Sequence, residues 1–180
     1  YSYKWLLDNG YSERNIVIAG DSAGGGLALS TLINLREEGL PLPAGGILIS
    51  PWTDLALSGG SLKTNKNSDP IIRRDLLEKF ANLYLNGALP TTPLASPLYA
   101  RLSDLPPVLI QVGDREMLLD DSKRLSEKLT IASNNHEFQL WEKMFHVWHL
   151  FAPILDEGYS AIKMIAKFAD EKISACRKVV

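Results

Sequence analysis

The stretch NIVIAGDSAGGGLALSTLINL, from Asn15 to Leu35, decides the fold. Its opening NIVIA (15–19) is an apolar run without alternation, the pattern of a central strand covered on both faces. The run stops at Gly20. After GDSAGGG, the residues Leu27, Leu29, Leu32, Ile33 and Leu35 recur at helical spacing up to Arg36, Glu37, Glu38 and a terminating Gly39. Strand, sharp turn and helix follow one another directly.

The same alternation continues on both sides. Upstream, Tyr1 to Asn9 reads as the tail of an amphipathic helix ended by Gly10. Downstream, a strand is expected over Gly46–Ser50 (GILIS), closed by Pro51, with Trp52 and Asp54 at its C-terminal edge. Residues 55–69 are polar and rich in Gly, Ser and Asn, and Asp69 with Pro70 predicts an N-cap and first residue for a helix reaching about Asn86. A proline-rich irregular segment follows to Pro107. Further strands are expected at Val108–Val112 and, nearer the edge because it alternates, His136–Trp141; helices are expected from about Leu118 to Ala132 and Tyr159 to Arg177. The class is α/β with a mainly parallel sheet. Residues 55–104 read as an insertion between core segments 1–54 and 105–180.

At 180 residues and 19.9 kDa the chain is one domain or less. A formal net charge of -2 provides no cationic field for nucleic acid or anionic lipid. The single cysteine, Cys176, has no partner for an internal disulfide or a paired-thiol zinc or redox motif, which favours a reducing, cytoplasmic setting. No apolar run has the roughly 18 to 20 residues of a membrane-spanning helix, and no basic-then-apolar signal opens the chain. A homo-oligomer is compatible with the sequence.

Gly20-Asp21-Ser22-Ala23-Gly24 fits G-x-S-x-G, in which a serine sits at a strained strand-to-helix turn with its hydroxyl exposed. The pattern arises by composition in about 6% of chains this long; the flanking strand and helix make accident far rarer. Glycines 20 and 24 are expected where strand and helix approach closely. Amides at the helix start can stabilise negative charge. The glycine run could also cradle a phosphate, but neither nucleotide-binding fingerprint is present. A serine nucleophile needs a base, ordinarily histidine, oriented by a carboxylate. His136 opens a strand and reads as structural. His146 and His149 lie in the loop after the last strand, on the same sheet edge as Ser22, with His146 nearer the strand end. The loop GDREMLLDD (113–121) supplies the acid. Asp120 and Asp121 fall in a first helical turn, where acids serve the helix dipole, leaving Asp114 and Glu116.

Together these residues resemble the hormone-sensitive-lipase-like carboxylesterases of the α/β-hydrolase superfamily. The phrases that carry the resemblance are Gly20-Asp21-Ser22-Ala23-Gly24-Gly25, Ser50-Pro51-Trp52-Thr53-Asp54, Ser96-Pro97-Leu98, Leu105-Pro106-Pro107 and Met144-Phe145-His146. The resemblance implies an α/β-hydrolase three-layer sandwich, Ser22 as nucleophile, His146 as base, the Ala23 amide as an oxyanion donor and a cap partly formed by 55–104. It implies a small ester as substrate, with a short or medium acyl chain, and neither cofactor nor metal. Laid without gaps from Pro107, the family's acid falls on Glu116; Asp114 is the alternative. Two departures stand out. Lys143 occupies the position three before the histidine where the family has glycine. The family's His-Gly-Gly-Gly oxyanion loop is absent, so about a hundred preceding residues, carrying further strands, are expected in the parent protein. Trp52, Phe145 and Trp148 are candidates for an apolar substrate pocket. The rival reading is a non-catalytic small-molecule-binding protein on the same fold, as in the plant gibberellin receptors, which lack the histidine; a peptidase of the superfamily ranks below both.

Overall fold

Four parallel strands, Val17–Asp21 (β1), Gly45–Ile49 (β2), Val108–Gly113 (β3) and His136–Trp141 (β4), lie side by side in the order β1-β2-β3-β4. The computed structural model describes the backbone of residues 2–177 and side chains as far as residue 175, so Tyr1 and the Cys176 side chain lie outside the described residues. Helices Ser2–Asp8 (α1), Ala23–Glu37 (α2), Ser61–Thr64 (α3), Arg74–Leu85 (α4), Leu119–Ile131 (α5) and Asp156–Arg177 (α6) connect and flank the strands.

The period of two along each strand sorts side chains into two layers. Leu48 pairs with Ile110 and Ile110 with Phe138 across the sheet, and this face packs on Leu29, Leu32 and Ile33 of α2 and Leu125 and Leu129 of α5. Ile47 and Leu109 point the other way, onto Phe168 of α6. The result is a three-layer α/β/α sandwich. Each fully buried leucine in it contributes roughly 1.5–3 kcal/mol relative to exposure.

Several expectations shift. β1 begins two residues later than expected and runs on through Gly20 and Asp21. It lies at an edge of the described sheet with half-exposed residues, whereas all six residues of β3 are buried. The helix expected from Pro70 starts at Arg74 instead, because Asp69 does not cap it: Oδ1 of Asp69 accepts from the amides of Ile71 and Ile72, and Oδ2 accepts from Met117 N–H at 2.8 Å. The polar stretch 55–69 contains the single turn α3, and α6 starts three residues earlier than expected.

Within residues 55–104, Leu62, Leu77 and Ala81 form a second apolar cluster with Trp52, Leu55, Met117 and Leu118, while Leu98 and Leu102 pack into the main core. Buried ionic groups tie the chain just before this segment to α5, and Ser58 and Ser61 within it bond Arg124 and Asp120. Asp121 Oδ2 accepts from the amides of Thr53 and Asp54, each at 2.9 Å, and Arg124 bridges Asp54 and Asp121. Burial pushes the Asp121 carboxyl up to about 7, and Asp120 accepts from Ser61 N–H. Both acids are structural, as expected, but through these tethers rather than through the helix dipole alone.

The elbow glycines are not equivalent. A Cβ on Gly20 would overlap the Gly24 carbonyl oxygen, whereas a Cβ on Gly24 would meet nothing nearer than Asp21 Oδ1 at 4.0 Å. Close approach therefore explains Gly20 but not Gly24; Gly25, beside Pro51, and Gly26, beside the Trp52 carbonyl oxygen, are the other crowded positions of this turn. We predict that Gly20→Ala lowers unfolding free energy by about 3 kcal/mol or more. Gly24→Ala, inside a helix, should change it by less than about 1 kcal/mol. Chemical denaturation of the two variants checks the contrast.

Candidate active site

All four strands end on one edge of the sheet, and the residues singled out above leave from those ends: Ser22 after β1, Ser50 and Trp52 after β2, Asp114 and Glu116 after β3, and His146 after β4. Ser22 has φ 54° and ψ -121°, a conformation that costs a non-glycine residue on the order of 1–3 kcal/mol. It is held there from both sides. Its N–H donates to Ile49 O at 2.9 Å, and its carbonyl accepts from Trp52 N–H at 2.9 Å and Gly25 N–H at 3.0 Å.

The Ser22 hydroxyl lies 2.9 Å from His146 Nε2, and His146 Nδ1 lies 3.0 Å from Glu116 Oε2. Glu116 is fully buried and His146 nearly so. The partners fix the tautomer: a carboxylate only accepts, so Nδ1 carries the proton and Nε2 is free to accept from Ser22. The other oxygen of Glu116, Oε1, accepts from Gly113 N–H at 2.6 Å and from the Ser50 hydroxyl at 2.7 Å. The acid and histidine loops meet closely, since a Cβ on Gly113 would overlap the Met144 carbonyl oxygen.

Asp114 stands apart from this chain. Its amide donates to Trp141 O, its carbonyl accepts from Asn65, and its Oδ1 is buried without a partner among the described residues. His136 bonds Ser126 and the Asn134 carbonyl, as a structural histidine does. His149 is buried on Trp148, with Nε2 2.8 Å from Gln111 Oε1; burial lowers its pKa to about 4, so it is neutral. Lys143 has φ 61° and Val147 φ 51°. The left-handed Lys143 marks a position where glycine fits without strain.

Ala23 is the first residue of α2, so its N–H has no acceptor inside the helix and stands next to Ser22. Beside Ala23 and Gly24 opens a cavity of about 550 Å³ lined by Leu27, Trp52, Leu55, Phe80, Leu83 and Leu94, among others. Trp52 lines it as anticipated. Phe145 and Trp148 do not: Trp148 is wholly enclosed against Trp141 and His149, and Phe145 packs edge-on against Phe151. Two aromatic residues beside a catalytic-type histidine look alike in sequence, but here both build the support of the loop. Phe80 and Leu83 were not anticipated, because apolar residues on a helix read as core; the signal available was the apolar arc that runs from Ala81 through Leu77 and Phe80 to Leu83, wider than one buried face takes up. Among the described residues, no group of three or more His, Cys, Asp or Glu side chains is placed to hold a metal ion, and no helix is long and apolar enough to cross a membrane.

The sequence pattern of the family described as alpha/beta hydrolase fold matches residues 1–150, and the chain belongs to that family. It is 44% identical over 167 residues to an acetyl-hydrolase of Streptomyces hygroscopicus, covering 93% of this chain and 56% of that protein. It is 38% identical over 168 residues to an esterase of Acinetobacter venetianus, covering 93% of this chain and 55% of that protein. The crystal structure of an esterase from the bacterial hormone-sensitive lipase family superposes with a TM-score of 0.94 at 46% identity, over 96% of this chain and 58% of that one. The resemblance to hormone-sensitive-lipase-like esterases therefore holds in sequence and in coordinates. The chain spans little more than half the length of these relatives.

Neutral, buried His149 gives a signed pH dependence. Its folded pKa, about 4, lies below the unfolded value of about 6.5, so the stability it contributes is complete above pH 6.5 and drains away as pH falls toward 4. Between pH 7 and 4.5 the wild type should lose about 2 kcal/mol more unfolding free energy than His149→Gln, by denaturant titration at each pH.

Proposed function

We propose that the protein carrying this chain is a serine-dependent hydrolase of carboxylic esters. The observation that carries this reading is the unbroken hydrogen-bonded chain from Ser22 through His146 to Glu116, next to Ala23 and Gly24 of an apolar cavity. Its relation to an acetyl-hydrolase and to esterases supports the same chemistry.

As Ser22 Oγ attacks the ester carbonyl carbon, its proton passes to His146 Nε2, and the buried Glu116 carboxylate stabilises the imidazolium through Nδ1–H. The carbonyl oxygen becomes an oxyanion within reach of the Ala23 N–H at the positive end of α2. His146 then delivers the proton to the departing alcohol, leaving an acyl-enzyme on Ser22. A water molecule deprotonated by the same Nε2 attacks that ester, and the carboxylic acid leaves with Ser22 restored. The steps balance without a cofactor. Trp52 and the cavity it lines take the apolar part of a short or medium acyl ester, and residues 55–104, which place Phe80 over the cavity, act as a cap between core segments 1–54 and 105–180.

Turnover of p-nitrophenyl acetate and butyrate tests the assignment in the protein that carries this chain. Ser22→Ala should lower kcat at least about a thousandfold, and Glu116→Gln about a hundredfold or more. Asp114→Asn should keep activity within about threefold. Wild-type rates in Ser22→Ala would end the serine mechanism; a large loss in Asp114→Asn with little in Glu116→Gln would move the acid to position 114.

A further inference from the structure

Resting on the hydrolase reading above, we infer that Ser50 is a positioning residue, its hydroxyl setting the angle between the Glu116 carboxylate and the His146 loop. Ser50 is fully buried at the end of β2. Its Oγ donates to Glu116 Oε1 at 2.7 Å and accepts from Val147 N–H at 3.2 Å, so one atom touches both the acid and the residue after the base.

Hydrogen accounting leaves this link one arrangement. Val147 N–H can only donate, so Ser50 must meet it with a lone pair. Its single proton then goes to Glu116, which as a carboxylate can only accept. Oε1 is thereby held by two donors, Gly113 N–H and the Ser50 hydroxyl, and Oε2 is left to face His146 Nδ1. With one donor fewer the carboxylate gains freedom to rotate about its last bond, and Oε2 leaves the line to the imidazole.

The backbone points to the same role. Ser50 has φ 46° and Val147 φ 51°, ψ 43°, left-handed conformations that are unusual for serine and rarer still for a β-branched residue. Such conformations persist only where the surroundings over-determine them. Here the two strained residues hold each other. The neighbouring backbone of β2 completes the set: Ile49 O accepts from Ser22 N–H and Trp52 N–H donates to Ser22 O. The four residues Ile49 to Trp52 thus contact Ser22, Glu116 and the residue that follows His146. Among the described residues no other charged side chain is hydrogen-bonded to Glu116 or His146.

The test compares Ser50→Ala, Ser50→Gly and Ser22→Ala in the protein that carries this chain, with kcat, KM and the pH profile of kcat/KM on p-nitrophenyl butyrate. Glycine removes the hydroxyl while accepting the left-handed backbone, so it separates the loss of a hydrogen bond from added strain. Both Ser50 variants should lose kcat about tenfold or more with KM within about twofold of wild type. Their acid limb should move to lower pH, because a carboxylate turned out of line with Nδ1–H stabilises the imidazolium less. Folded variants with wild-type kcat and an unmoved acid limb would overturn the inference while leaving the hydrolase reading intact. Failure of both variants to fold would make Ser50 a structural residue and overturn it as well. Wild-type rates in Ser22→Ala would remove the reading itself, and the inference with it.

Discussion

The 2.9 Å contact between the Ser22 hydroxyl and His146 Nε2 joins residues 124 positions apart, and parallel pairing is what makes it attainable. In a parallel sheet every strand presents its carboxyl end at one edge, so the loops after β1, β2, β3 and β4 converge without any of them being long. Strand register then sets the distances. Gly20 pairs with Leu48 and Leu48 with Ile110, which brings Ser22, Ser50 and Glu116 into step just beyond the last paired residues.

Convergence alone would leave flexible loops. Rigidity comes from placing strained backbone where buried donors and acceptors permit no alternative. Ser22, Ser50, Lys143 and Val147 all have positive φ, and three of them are tied by hydrogen bonds within the site. The four conformations are each disfavoured by on the order of 1 kcal/mol or more. The sandwich offsets this through the apolar layers on the two sides of the sheet, where Leu29, Leu48 and Ile110 on one side and Leu109 on the other are fully enclosed. The strain is thus local to the chemistry and the stability is supplied elsewhere.

Local periodicity made the sandwich legible. The runs at 46–50, 108–112 and 136–141 and the helical spacing after Ser22 each carried their own signal, and the serine, acid and histidine loops followed from strand order. What stayed hidden depended on partners distant in sequence. The late start of α4 reflects a bond from Asp69 to an amide 48 residues away, and the enclosure of Trp148 reflects Trp141 and α6 closing over it. Asp114 could not be separated from Glu116 by residue type, since the difference lies in which carboxyl reaches the imidazole. Ser50 stood in a family-like phrase without a role, because a buried hydroxyl acquires one only when its two partners are placed.

In the proposed hydrolase Ser22 is the group that takes up the acyl moiety. Reaction of the protein that carries this chain with a fluorophosphonate, followed by mass spectrometry of its peptides, addresses that directly, because the reagent bonds to a serine only when an adjacent base has activated it. One rapid adduct is expected, on the peptide containing Ser22, and it should be absent when His146 is replaced by alanine. An adduct on a different residue, or Ser22 left unlabelled while ester hydrolysis proceeds, would contradict this role for Ser22.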